Sequence, residues 1–287
     1  MKKHKICKIL LVILAIFLCV AFYELLGICV AYKKQPEVSN TTKKETKNGS
    51  WNECSENTER AVIIEKNPEA LLQRVRLIKN AKKEIILSTF AFQSDESGKL
   101  ILGALHDAAD RGVHIRLLVD GMESWIDMEG NPYFYGLSSH ENVEIKLYNK
   151  ANLLKPWKMM GRMHDKYLIA DGKRYILGGR NTYNYFLGDF PGHKNYDRDV
   201  LVVCDEPEKE NSVNQLLEYF ETIWEQEDSG YFHDNKKLAN RKSVKNAVLE
   251  LQNGYQKYFE ENKERICDTD YTDETFETEK IALVSNP

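Results

Sequence analysis

The sequence predicts an α/β sandwich, a mixed β-sheet flanked by helices, preceded by one N-terminal transmembrane helix. Strand-like apolar runs alternate with amphipathic helical runs over residues 61–224. An Asp171-Gly172 pair between two such runs signals a hairpin, so the sheet holds antiparallel as well as crossover-joined strands. Residues 9–32 form an apolar run with a single charge, Glu24. The composition of the whole chain, 42% hydrophobic and 29% charged, excludes a disordered or fibrous chain.

The apolar run comes first. At about 1.5 Å per helical residue it spans roughly 36 Å, enough to cross a bilayer with some tilt. Residues 1–8 hold Lys2, Lys3, Lys5 and Lys8, and only Lys33 and Lys34 directly follow the run. The heavier positive end predicts a cytoplasmic N-terminal tail and a domain outside the cytoplasm of a bacterial cell membrane. A cleaved signal peptide is the rival, with Cys19-Val20-Ala21 or Cys29-Val30-Ala31 as the cleavage site. The 24-residue length favours a retained anchor. Residues 33–60 are polar and read as a flexible tether.

The alternating unit follows, over residues 61–228. Asn67-Pro68-Glu69 opens a helix, with Asn as cap, and Leu71, Leu72, Val75 and Ile78 give it one apolar face. Residues 84–92 are a strand buried on both faces. Residues 100–111 are a helix ended by Gly112. Residues 113–120 and 143–148 are strands, as are 167–170 and 174–177 on either side of the hairpin turn, and 199–204. Residues 212–224 are a helix whose apolar face is Val213, Leu216, Leu217, Phe220 and Ile223. Residues 229–280 read as a polar, partly helical arm with few core-forming positions. Residues 281–287 turn apolar again, like the first strand of a second half.

Charge and cysteines narrow the chemistry. Residues 151–204 hold nine Lys/Arg against five Asp/Glu, whereas residues 205–280 hold ten against twenty. The acidic stretch reads as solvated helix faces and makes nucleic acid an unlikely partner. No C-x-x-C pair exists, so no zinc site is implied, and Cys204 reads as a buried apolar residue.

One constellation carries chemistry. Residues 163–170 are strand-like, and a period of two puts His164 and Lys166 on one face. An imidazole beside an ammonium suits a phosphodiester: the imidazole attacks phosphorus while the ammonium holds a non-bridging oxygen. Asn181 adds an amide donor, and Gly178-Gly179 lets the backbone approach the substrate. Taken singly, His164 reads as structural, Lys166 as a surface charge and Asp171 as a turn residue. Together they form His164-x-Lys166-x4-Asp171-x6-Gly178-Gly179-x-Asn181.

That string resembles the HKD signature of the phospholipase D superfamily. Residues 81–87 and 112–121 are similar to the family's first two strands. Arg162-Met163-His164-Asp165-Lys166, Gly178-Gly179-Arg180-Asn181, Tyr185-Phe186 and Asp197-Arg198-Asp199-Val200 look most like bacterial cardiolipin synthases. The resemblance implies a nucleophilic His164 that becomes phosphohistidine. It implies phosphoryl oxygens held by Lys166 and Asn181 beside Gly178 and Gly179. Asp171 would be a signature carboxylate that holds charges and loops in place, and Asp199 a supporting acid. It implies no metal and no cofactor.

Family enzymes need two signatures, and this sequence has one. After His164 only His193 and His233 remain, and neither begins an H-x-K. Either two copies pair across a two-fold axis, as a homodimer, or a second half is missing; the arm and residues 281–287 favour the second. The anchor and the stretch before His164, with Leu153, Leu154, Trp157, Met159 and Met160 among cations, make anionic phospholipid of the phosphatidylglycerol type the leading substrate. A partly buried loop is the plain alternative for that stretch. The expected activity is cardiolipin synthase-type transfer. The alternatives are phospholipase D hydrolysis, a dimeric endonuclease, or a tethered half that is inactive alone.

Overall fold

The structure, a computed structural model, describes residues 2–33, 43–44, 59–150, 152–204, 211–233, 235–279 and 281–284. Helix α1 (Lys2–Lys33) takes in the predicted apolar run and most of the basic tail before it. By length and composition it is able to cross a membrane. Nearly all of the expected tether lies outside the described residues. Its last two residues do not behave as tether: Glu59 and Arg60 begin strand β1 (Glu59–Ile64). The buried Glu59 carboxylate accepts from the Ser212 backbone N–H (3.1 Å) and hydroxyl (2.7 Å).

Among the described residues nine strands form one mixed sheet. The others are β2 (Glu84–Thr89), β3 (His114–Asp120), β4 (Val143–Tyr148), β5 (Tyr167–Ala170), β6 (Arg174–Gly178), β7 (Asp199–Val203), β8 (Ser229–Tyr231) and β9 (Phe276–Thr278). Their spatial order is β8-β4-β3-β2-β5-β6-β7-β1-β9. The pairs β2/β3 and β3/β4 are parallel, and the remaining neighbours are antiparallel. The predicted mixed sheet is therefore present, with its hairpin at β5–β6. Asp171 (φ 55°) and Gly172 (φ 63°) both sit in the left-handed region, and the Lys173 N–H donates to the Ala170 carbonyl (3.0 Å) across the turn. The loop between the paired Ala170 and Arg174 is three residues, one more than the two-residue signal implied.

Helices cover both faces. On one face pack α2 (Asn67–Asn80), α3 (Glu96–Asp110), α5 (Pro132–Ser138), α7 (Lys242–Glu261) and α8 (Lys263–Cys267), while the short α4 (Gly121–Asp127) follows β3. Helix α6 (Ser212–Trp224) covers the other face with Val213, Leu216, Phe220 and Ile223. Alternation along each strand feeds both layers: Ile85 and Leu87 join the first core, Ile86 the second. Cys204 is buried in the second core, as its apolar run suggested. Asn67 does not cap α2. Lys66 holds the cap position, and the Asn67 side chain instead accepts from Arg180 Nε (3.1 Å) and donates to the Asn195 carbonyl (2.8 Å).

Residues 229–280 are partly helical, as expected, but they join the sheet and the core more than their polar composition suggests. Strands β8 and β9 extend the sheet at its two edges. Helix α7 buries Val244, Ala247, Leu251, Tyr255 and Phe259 at helical spacing, and Gly103 of α3 lies so close that a Cβ there would come within 2.7 Å of the Leu251 carbonyl. Sparse apolar residues on one face sufficed, because each falls on the same stripe. Residues 281–284 are not a strand either. Ile281 and Leu283 pack on the α6 layer, and the Leu283 N–H donates to Gln215 Oε1 (2.8 Å). Leu251→Ala should therefore lower unfolding stability by about 2–5 kcal/mol, as a core truncation does. Denaturant unfolding of the full chain in detergent checks this; a neutral effect would return the segment to solvent.

Candidate active site

Strand direction decides what meets. The C-terminal ends of β2, β3 and β6 and the N-terminal ends of β5 and β7 fall on one edge of the sheet. His164 and Lys166 lie just before β5, Gly178 to Asn181 at and after the end of β6, and Asp197 and Asp199 at the start of β7. The residues before β5 are extended without being strand, contrary to the reading of 163–170 as one run. The ladder still continues one step: the Gly178 N–H donates to the Lys166 carbonyl at 3.1 Å. That bond sets the His-x-Lys segment directly against the Gly-Gly-x-Asn segment.

His164 is exposed and its ring packs at a tilt against Phe90, with ring centroids 4.6 Å apart and planes at 58°. Lys166 is 5% exposed; its ammonium donates to the His164 carbonyl at 2.5 Å and stands 5.3 Å from the Phe90 ring centroid. Arg162 also packs over Phe90, at 4.9 Å. Burial, then the nearby Lys166 and Arg162 cations, hold the His164 imidazole below its ordinary value of 6.5, against the pull of Asp165 and Asp120. Burial likewise pushes Lys166 down to about 8, against Asp165 and Asp197. At neutral pH the site thus offers a neutral imidazole next to a protonated ammonium. Asn181 is buried, and its Oδ1 accepts from the Ala91 N–H (3.2 Å), which fixes the amide so that Nδ2 is its other polar atom. The following loop is tied to the start of α3: Asn184 N–H donates to Asp95 Oδ2 (2.7 Å), and Ser97 donates to Asn184 Oδ1 (2.7 Å).

The two glycines have a different reason from the one expected. A Cβ on Gly178 would lie 2.0 Å from Asp199 Oδ1, and one on Gly179 2.0 Å from Asp197 Oδ2. Their missing side chains make room for carboxylates from β7. Asp199 is buried and binds Arg74 (2.9 Å) and Arg180 (3.2 Å) through Oδ2. Arg180 in turn donates to the carbonyls of Ile64 (3.1 Å) and Glu65 (2.5 Å). Asp199 therefore fastens β7, the loop after β6 and α2 together.

Asp171 is not with the others. It lies at the far end of β5, seven residues from His164, about 20 Å along an extended chain. Its carboxylate accepts from the N–H groups of Lys82 (2.8 Å), Lys83 (2.7 Å) and Glu84 (3.0 Å). The grouping of Asp171 with the catalytic residues is thus corrected in position: it clamps the hairpin turn to the entry of β2.

Sequence reasoning missed Phe90, Arg162 and Asp120. Asp120 caps α4 through Met122 and Glu123, accepts from the Met163 N–H (3.1 Å) and pairs with Arg162 (2.8 Å). It holds the strand entry that delivers His164. Its signal was present as Asp120-Gly121 at the end of an apolar strand, on the edge where α/β sheets place their sites.

Comparison with known proteins gives the family. The family description for the phospholipase D-like domain of cardiolipin synthase matches residues 74–224, more than half of the chain. The chain belongs to the phospholipase D-like family. A Helicobacter pylori (strain J99) protein described as uncharacterized is 30% identical over 212 residues, covering 69% of this chain and 39% of its own length. Cardiolipin synthase C of Escherichia coli K12 is 29% identical over 171 residues, covering 55% and 34%. The chain thus spans well under half the length of these relatives. The solved phosphatidylserine synthase of Haemophilus influenzae shares the phospholipase D-like fold at a TM-score of 0.50 and 18% identity, over 77% of this chain and 48% of that one.

Two outcomes follow. Activity should rise with pH through a limb below 6.5, as the imidazole loses its proton, and fall near pH 8, as Lys166 loses its charge. Lys166→Arg, which stays charged, should remove the alkaline limb in a pH–rate profile; an unchanged limb would show that another group titrates. Asp171→Ala should cost about 1–3 kcal/mol of stability by leaving its N–H donors without their acceptor. Its folded fraction should keep far more turnover than His164→Ala, measured on the same preparations.

Proposed function

We propose that this chain is a membrane-anchored phosphodiesterase that transfers phosphatidyl groups between phospholipids, as in cardiolipin synthesis, through a phosphohistidine on His164. The observation that carries the reading is the placement of His164 and Lys166 together against Phe90, on the sheet edge that also bears the apolar loop packed on α1. The matched family and the Escherichia coli relative support the lipid class. The four lysines before the apolar run support an N-terminus inside and a catalytic domain outside the cytoplasm.

The imidazole lone pair forms an N–P bond, and the P–O bond to the leaving alkoxide breaks with its electron pair. Lys166, with Asn181, holds the non-bridging oxygens as their charge grows. Asp197, which lies against Gly179, favours the charged form of Lys166 electrostatically. In the second half the acceptor oxygen attacks phosphorus, the N–P bond breaks, and its electrons return to the imidazole. One phosphodiester replaces another, so no oxidant or external energy enters. The leaving oxygen gains one proton and the acceptor loses one. The group that moves this proton is a second histidine, since the chain holds a single H-x-K. A second copy of the chain, or a second signature on further chain, is its source. An alcohol reaching the phosphohistidine gives transfer, and water gives phosphatidic acid.

Full-length protein incubated with phosphatidylglycerol vesicles should yield cardiolipin and glycerol, read by lipid mass spectrometry. His164→Ala should lower that rate on the order of 10³-fold or more. Phosphatidic acid in place of cardiolipin would make the protein a hydrolase. Neither product, together with nucleic-acid cleavage that collapses steeply with salt, would overturn the lipid reading in favour of a nuclease.

A further inference from the structure

Helix α1 does not stand clear of the domain. Tyr23, Glu24, Gly27 and Ala31 form one face at helical spacing, and this face packs on the short 3₁₀ helix Pro156–Met160. The Tyr23 hydroxyl donates to the Leu154 carbonyl at 2.8 Å. Gly27 is buried, and a Cβ there would lie 2.3 Å from Pro156 Cγ, so only glycine lets the two backbones close. The contact fixes the depth of the loop relative to the anchor.

A hydrocarbon layer of about 30 Å takes about 20 helical residues. Counted from Ile9, just past Lys8, it ends near Ile28. Tyr23 and Gly27 then lie within about 8 Å of its outer boundary, on the inner side. If Lys33 sets the register instead, they lie deeper. The residues bonded to them share that depth. Leu153, Leu154, Trp157 and Met160 are all exposed, Leu154 at 79%, an arrangement that is costly in water and favourable in lipid. Trp125 and Ile126 of α4 are exposed as well, and Trp125 shares with Leu153 a cavity of about 360 Å³. Lys155 lies in the same segment, with a stem long enough to reach headgroups, while Lys158 pairs with Asp228 (2.6 Å).

We propose that residues 153–160, with Trp125 and Ile126, insert into the lipid bilayer alongside α1. The insertion holds His164 at the level of the phosphates. His164 follows Met160 by four residues, at most about 14 Å of chain, and Arg162 between them is anchored to Asp120. A phospholipid then meets the nucleophile without leaving the membrane plane. This inference rests on the membrane-anchored reading, and it adds a depth to the site.

The test uses the full chain reconstituted in phosphatidylcholine–phosphatidylglycerol vesicles, with and without phosphatidylcholine brominated on its acyl chains. Bromine should remove more tryptophan emission from the parent chain than from Trp157→Phe, and the emission lost on that substitution should be the part shielded from acrylamide. The pair Leu153→Ser and Leu154→Ser should weaken the bromine effect while α1 keeps the protein in the vesicle fraction. Equal quenching of parent and Trp157→Phe, with Trp157 open to acrylamide, would overturn the insertion. The readout does not depend on turnover. Quenching without lipid products would sink the proposed reaction and leave the insertion standing, and products without quenching would do the reverse.

Discussion

The site depends on the register of one hairpin. The Gly178 N–H bonds to the Lys166 carbonyl, and this places the segment carrying His164 and Lys166 against the segment carrying Asn181. A shift of one residue would turn every β5 and β6 side chain to the other face. Leu168 and Ile176 would leave one core, and Tyr167 and Tyr175 the other. Both layers of helices therefore enforce the register. At the turn, Asp171 fixes the far end of the hairpin by accepting N–H bonds from the chain entering β2. The signature is one mechanical unit with chemistry at one end and a clamp at the other.

Around that unit, charges are spent on holding the edge still. Asp199 joins Arg74 and Arg180 in a buried cluster, and Asp120 joins Arg162. Buried pairs of this kind add little net stability, but losing one partner strands a charge. What they supply here is position. With Arg162 held and Lys166 buried, desolvation and then these two cations hold the His164 imidazole below its ordinary value. On the proposed reading, a phosphodiester arriving at this edge meets an imidazole that needs no prior deprotonation at neutral pH.

Much of this was legible in the sequence. The alternation of apolar runs gave the sandwich, and Asp171-Gly172 gave the hairpin, because local pattern and turn chemistry dictate both. The grouping of His164, Lys166 and Asn181 on one edge follows from that hairpin. Other features were not legible because they depend on distant partners. Asp171 reads as part of one constellation with His164 until the length of β5 carries it to the opposite end of the hairpin. Gly178 and Gly179 read as openings for substrate until Asp197 and Asp199 fill them. Helix α7 was hidden because its apolar stripe is narrow among many charges, and only packing on α3 and α5 reveals its worth. The three-residue strands β8 and β9 are too short to leave a periodic signal. Phe90 gives no signal at all in sequence, since its role is contact with His164 across the sheet edge.

Helix α1 packs on the segment that leads to this edge, so on the proposed reading the chemistry and the membrane meet in one short stretch between Leu153 and Lys166. That proximity gives the lipid reading its physical content, because the nucleophile and the apolar loop cannot be separated by more than a few residues. The central claim is that His164 becomes covalently phosphorylated by its substrate. The most direct measurement is to incubate the full chain with phosphatidylglycerol, quench under alkaline denaturing conditions that preserve phosphoramidates, and map the histidine peptides by mass spectrometry. The account predicts a phosphatidyl adduct on the peptide holding His164. Lipid products formed with no adduct there, or with the adduct on His193 or His233, would contradict it.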